Sequence, residues 1–67
     1  MIKIDILRGR IFSKYKSVSE CAKAADLSRH VIYNILNKKK LPNSDEIKKI
    51  GKACDFTAED IKSIFLS

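Results

Sequence analysis

Apolar residues spaced three and four apart recur along this chain, and side chains suited to capping helices interrupt them at short intervals. That combination leaves little but short helices. Ile4, Leu7, Ile11, Phe12 and Tyr15 follow that spacing and predict a first helix over about Asp5–Tyr15. Gly9 within it costs about 1 kcal/mol relative to Ala, and close approach of a neighbouring helix is the expected compensation. Ser17 is an N-cap with Glu20 as its capping-box partner. A second helix then runs over about Val18–Ala24, with Cys21, Ala22 and Ala25 inside.

The chain must turn sharply at Asp26, a residue type that tolerates left-handed backbone better than most. Leu27 plugs the turn and Ser28 caps a third helix over about Ser28–Asn37. Ile32, Ile35 and Leu36 face inward there, while Arg29, His30, Tyr33 and Asn34 face outward. Lys38, Lys39 and Lys40 follow, and Pro42 helps to end that loop. Asn43 with Glu46 forms a second capping box at a fourth helix, with Ile47, Ile50 and Cys54 inside. Thr57 with Asp60 opens a fifth, with Ile61, Ile64 and Phe65 inside. No strand alternation, repeat or low-complexity segment is evident.

A chain of 67 residues is enough for one domain with one small core, and dimerisation commonly strengthens such cores. With 45% apolar residues, two glycines and one proline, it is expected to fold. No apolar run is long enough to span a bilayer. The start, Met1-Ile-Lys-Ile-Asp5, carries no signal-peptide pattern, so a cytoplasmic location is expected. Two cysteines and one histidine, without C-x-x-C, argue against a metal site. Cys21 and Cys54 are expected as small core hydrophobes, not as a disulfide.

The net charge of +6 is unevenly spread. Residues 1–40 hold ten Lys or Arg against three acids; residues 41–67 hold four against five. A basic half suits a polyanion, although a solvated lysine surface has the same composition. Two short helices joined at a tight turn, with a polar face on the second and cations after it, suit the DNA major groove.

The pattern resembles the lambda-repressor-like helix-turn-helix family, the Cro/cI or XRE regulators. The markers are Ala22, Leu27-Ser28-Arg29, Ile32, Ile35 and Lys38 to Pro42, followed by Ile47-Lys-Lys-Ile-Gly-Lys-Ala53 and Phe56-Thr57-Ala-Glu-Asp-Ile61. The likeness runs from about Leu7 to Phe65. Leu7-Arg-Gly9-Arg10-Ile11 and the ending Ile64-Phe65 are most similar to small single-domain regulators of Gram-positive phages and prophages. Three positions depart from the family pattern. Val18 stands where a phosphate-contacting Gln is common, and Asp26 stands where Gly is usual. Leu36 replaces a Glu that often pairs with an Arg of the first helix; it can pack on Ile11 instead.

The resemblance implies an all-α, five-helix, lambda-repressor-like domain occupying residues 1–67. It also implies a transcriptional regulator, a Cro-like repressor that binds a short palindromic operator as a homodimer. Base contacts fall to Arg29, His30 and Asn34, flanked by Val31 and Tyr33. Arg can pair with guanine and Asn with adenine. His30 has no nucleophile or carboxylate placed for catalysis, so it is a base or phosphate contact or a bystander. Phosphate contacts fall to Ser17, Ser28, Asn37, Lys38, Lys39, Lys40, Asn43 and Ser44, with Lys14 and Lys16 beside the flanking backbone.

Phe56, Ile61, Ile64, Phe65 and Leu66 are the expected dimer face; the alternative is that they close a monomer's core. No cofactor, small-molecule ligand, membrane partner or enzymatic activity is expected. An antitoxin or restriction-modification controller of the same build, or a helix-turn-helix protein that inhibits another protein, remains the rival reading.

Overall fold

The computed structural model describes residues 2–66 and is all-helical. Its helices are α1 (Ile4–Lys14), α2 (Val18–Ala24), α3 (Arg29–Leu36), α4 (Ser44–Ala53) and α5 (Ala58–Phe65). No strand occurs among the described residues. Leu7 and Ile11 of α1, Cys21 of α2, Ile32 and Ile35 of α3, Ile50 of α4 and Ile64 of α5 are sealed together in one core. Each helix therefore buries one stripe against the others, the arrangement the three-and-four spacing demands.

The caps set the helix starts. Ser17 accepts from the Glu20 N–H and Ser28 from the Val31 N–H. The Glu20 side chain does not return a bond to Ser17, so only half of that expected capping box forms. Asn43 with Glu46 and Thr57 with Asp60 form complete boxes.

Three helices end in the same way. Asp26, Lys38 and Asp55 sit in the left-handed region, with φ of 57°, 61° and 57°. After each, an N–H reaches back five residues: Leu27 to Ala22, Lys39 to Asn34 and Phe56 to Gly51. This Schellman closure satisfies carbonyls that a helix end otherwise leaves without donors. The Asp26 turn was legible in the sequence; those at Lys38 and Asp55 were not expected.

Two features of α1 differ from expectation. Phe12 is 48% exposed, because one residue past Ile11 turns the side chain roughly 100° off the buried stripe. A Cβ added at Gly9 would meet nothing within 4 Å, so no neighbouring helix compensates its cost. The close approach occurs at Gly51 instead, where a Cβ would lie 3.1 Å from the Ile61 Cδ1. Helix α5 is tied to α1 by the Lys3 N–H bonded to the Ile64 carbonyl at 2.9 Å. The Arg10 guanidinium adds a two-pronged contact to the Asp60 carboxylate at 3.4 and 3.3 Å. The same guanidinium lies 5.0 Å from the centre of the Phe56 ring.

Candidate nucleic-acid interface

Helix α3 is short, but its two faces are sharply divided. Ile32, Ile35 and Leu36 are buried, and Leu27 and Val31 pack against the same core. Arg29, His30, Tyr33 and Asn34 stand exposed on the other face. Among the described residues, no hydrogen bond or ion pair engages the side chains of Arg29, His30 or Asn34. Three exposed polar side chains are thus left with their full donor and acceptor capacity on one helix. Val31, expected as a flanking contact, is half-buried and contributes mainly to packing.

Both ends of α3 are fixed. At its start, the Ser28 hydroxyl accepts the Val31 N–H at 3.3 Å. At its end, Asn37 is the C-cap and Lys38 takes the left-handed turn. The Arg8 guanidinium donates to the Leu36 carbonyl at 3.4 Å. A cation at a helix C-terminus suits the helix dipole and an otherwise undersupplied carbonyl. Sequence reasoning missed this role for Arg8. No sequence signal pointed to it, because the acceptor is a backbone carbonyl 28 residues away.

The three lysines separate by role. Lys38 and Lys39 are exposed. Lys40 folds back, its ammonium 2.9 Å from the Glu46 carboxylate, which is itself nearly buried. Burial alone would raise the Glu46 carboxyl. The Asn43 N–H and the Lys40 ammonium outweigh it and hold the group below the usual carboxylate range. The loop is therefore pinned to α4 by a charged contact that the lysine run did not disclose. Leu41 protrudes beside it, 81% exposed.

The start of α4 is less open to phosphate than expected. The Asn43 side chain accepts the Glu46 N–H at 2.8 Å, and the Asn43 N–H donates to Glu46 at 3.0 Å. Ser44 is exposed at the first helical position, followed by the acidic Asp45 and Glu46. Ser17, half-buried, is likewise occupied as the α2 cap.

The expected dimer face fares differently from the expected reading face. Ile64 and Phe65 are buried in the chain's own core. Phe56 is half-buried beneath Arg10 and against Phe65, with ring centres 6.4 Å apart. Ile61 is half-buried against Gly51. The reason is geometric: a terminal helix closing a five-helix core spends its apolar stripe inward. Leu66, 70% exposed, is the one residue of the five that stands free. Ile6, exposed on the first turn of α1, lies at the helix end that the Lys3–Ile64 hydrogen bond joins to α5. No protein-family model, characterised protein or solved structure matches this chain.

Proposed function

We propose that the chain is a sequence-specific DNA-binding regulator of the lambda-repressor-like helix-turn-helix class, acting as a Cro-like repressor of phage or prophage origin. The observation that carries this reading is the outer face of α3. Among the described residues, Arg29, His30 and Asn34 are exposed and free of intramolecular partners, on a helix whose opposite face is sealed and whose ends are both fixed. In this reading α3 enters the major groove. Arg29 and Asn34 read base edges, each good bidentate pair discriminating by about 1–3 kcal/mol. His30 and Tyr33 flank them. Lys38 and Lys39 neutralise phosphates, and Asn37 and Ser44 add neutral donors.

The domain measures 26 × 23 × 21 Å. Successive major-groove faces on one side of DNA lie about 34 Å apart. One copy therefore reads one half-site, and a palindromic operator calls for two. Leu66, exposed at the end of α5, supplies apolar surface for that pairing. The working location is the bacterial cytoplasm, and repression proceeds by occupying the promoter. No enzymatic step is involved.

The test is a titration against the DNA upstream of the gene that encodes the chain, at two salt concentrations. Specific binding that weakens steeply with salt supports the proposal. Equal affinity for random DNA overturns it in favour of a protein-binding role.

A further inference from the structure

Helices α2, α3 and α4 end in the same left-handed closure, yet only two of the three bury the apolar residue that follows. After Asp26 and Asp55 come Leu27 and Phe56, and both pack against the core. After Lys38 the first apolar residue is Leu41, and it is 81% exposed, the highest value among the large hydrophobic side chains of the described residues. A single exposed leucine is ordinary on a protein surface. The inversion around this one is not. Lys40 turns in to meet the nearly buried Glu46 at 2.9 Å, and Leu41 turns out.

The loop is held on both sides of Leu41. Before it, Lys38 takes a φ of 61° and the Lys39 N–H bonds to the Asn34 carbonyl at 2.8 Å. After it, Pro42 is half-buried with a restricted φ, and the Asn43 N–H donates to Glu46. Lys40 and Asn43 engage the same Oε1 of Glu46, so Leu41 and Pro42 form the tip of a small loop closed by one carboxylate.

The order of side chains along this segment matches the order of surfaces on a duplex. With Asn34 in the major groove, exposed Lys39 meets the phosphate strand at the groove's edge. That strand also borders the minor groove, which is about 6 Å wide. Two residues of chain carry Leu41 up to about 7 Å past Lys39.

We propose that Leu41 is an apolar wedge that enters the minor groove beside each half-site and selects operators by how easily a base step there unstacks. The inference rests on the reading of α3 as the major-groove helix. Apolar side chains that insert between base steps pay for unstacking, and pyrimidine–purine steps such as TA and CA unstack most readily. Such steps are then favoured without any hydrogen bond to their edges. Contact between two copies fits this loop less well, because it brings the exposed Lys38 and Lys39 of both copies together.

The experiment uses the full chain and the operator mapped by footprinting upstream of its gene. 2-Aminopurine, which brightens when it unstacks, replaces adenine at successive positions beside each half-site. The wild type should brighten the probe at one step, and Leu41→Ala should abolish that signal while keeping the wild-type Tm. The variant should bind about tenfold more weakly to an operator with TA at that step, lose the preference for TA over a stiff A-tract, and keep the salt slope. Leu41→Met, which can also insert, should retain the brightening. Specific binding with no brightened step, or Leu41→Ala equal to the wild type on both operators, overturns the wedge and leaves reading by α3 standing. Loss of self-association by Leu41→Ala in sedimentation without DNA overturns it in favour of contact between copies. Absence of any operator preference in the wild type overturns the DNA reading and the wedge together.

Discussion

Lys39 and Lys40 are neighbours in sequence with opposite roles in the structure, and that contrast tests the proposed interface. Consider Lys39→Met and Lys40→Met, which keep most of the aliphatic stem and remove the charge. Lys39 is exposed, so its charge is available to phosphate. Each phosphate neutralised contributes about −0.9 to the slope of log K against log salt. A dimer presents two copies, so Lys39→Met should flatten that slope by about 1.8. An isolated exposed charge contributes little to folding, so stability should change by no more than about 0.5 kcal/mol.

Lys40 lies 2.9 Å from Glu46, whose side chain is 11% exposed, while its own is 34% exposed. Part of its charge is spent within the domain. Its loss leaves a nearly buried carboxylate supported by the Asn43 N–H alone. With Lys40 partly solvated, the cost should be about 1 kcal/mol, which is about 4–8 °C in Tm for a domain of this size. Fluorescence anisotropy across a salt series and thermal unfolding by circular dichroism measure the two quantities. Lys39→Met should move the salt slope and leave Tm; Lys40→Met should move Tm and flatten the slope less. Equal flattening by both variants with unchanged Tm would refute the division of the lysines.

Three further outcomes are expected. Asn34→Ala should lose discrimination at particular operator positions by about 1–3 kcal/mol without altering the salt slope, as read by binding to single-base operator variants; a uniform loss over all DNA counts against α3 as the reader. Asp26→Gly should stabilise the fold by about 0.5–1 kcal/mol, because glycine takes the left-handed φ of 57° without steric cost, and chemical denaturation checks it. Acid should unfold the protein progressively: Glu46 is held low by the Asn43 N–H and Lys40 against its burial, and Asp60 by the Thr57 N–H and Arg10. Both folded-state values lie below the unfolded ones, so their stabilisation is complete at neutral pH and is lost as pH falls through and below about 4; Glu46→Gln should shrink the acid-side loss measured by urea titration at several pH values.

Local chemistry made much of this fold legible. Ser17, Ser28, Asn43 and Thr57 cap the helices they were expected to cap, because a cap depends on residues within one turn. The inward stripe of α3 was legible for the same reason, since period alone sets it. What depended on distant partners was not. Lys40 reads as a free cation until Glu46 is folded beside it, and Arg8 reads as surface until α3 ends against it. Ile64 and Phe65 read as surplus apolar side chains because a sequence does not reveal how much core one terminal helix must close. Phe12 fell into the expected stripe by spacing, yet it sits at the edge of the arc where a single residue's rotation decides burial.

The backbone devices also explain how one architecture can present two different surfaces. The α2–α3 and α4–α5 units share the same connection: a left-handed Asp, an apolar plug and a hydroxyl cap, as Asp26-Leu27-Ser28 and Asp55-Phe56-Thr57. Counting from those caps, Ile32, Ile35 and Leu36 correspond to Ile61, Ile64 and Phe65. The inward faces are therefore equivalent, and only the outward ones differ. Arg29, His30, Tyr33 and Asn34 face Ala58, Glu59, Lys62 and Ser63 in that correspondence. Glu59 and Asp60 place acid at the start of α5, where phosphate would otherwise be attracted to free N–H groups, and the Thr57–Asp60 box already occupies two of them. Repulsion from a polyanion is thus built into the second unit and absent from α3. Of two helices set up by the same turn, only α3 starts without acid, as the proposed reading of DNA by its outer face requires.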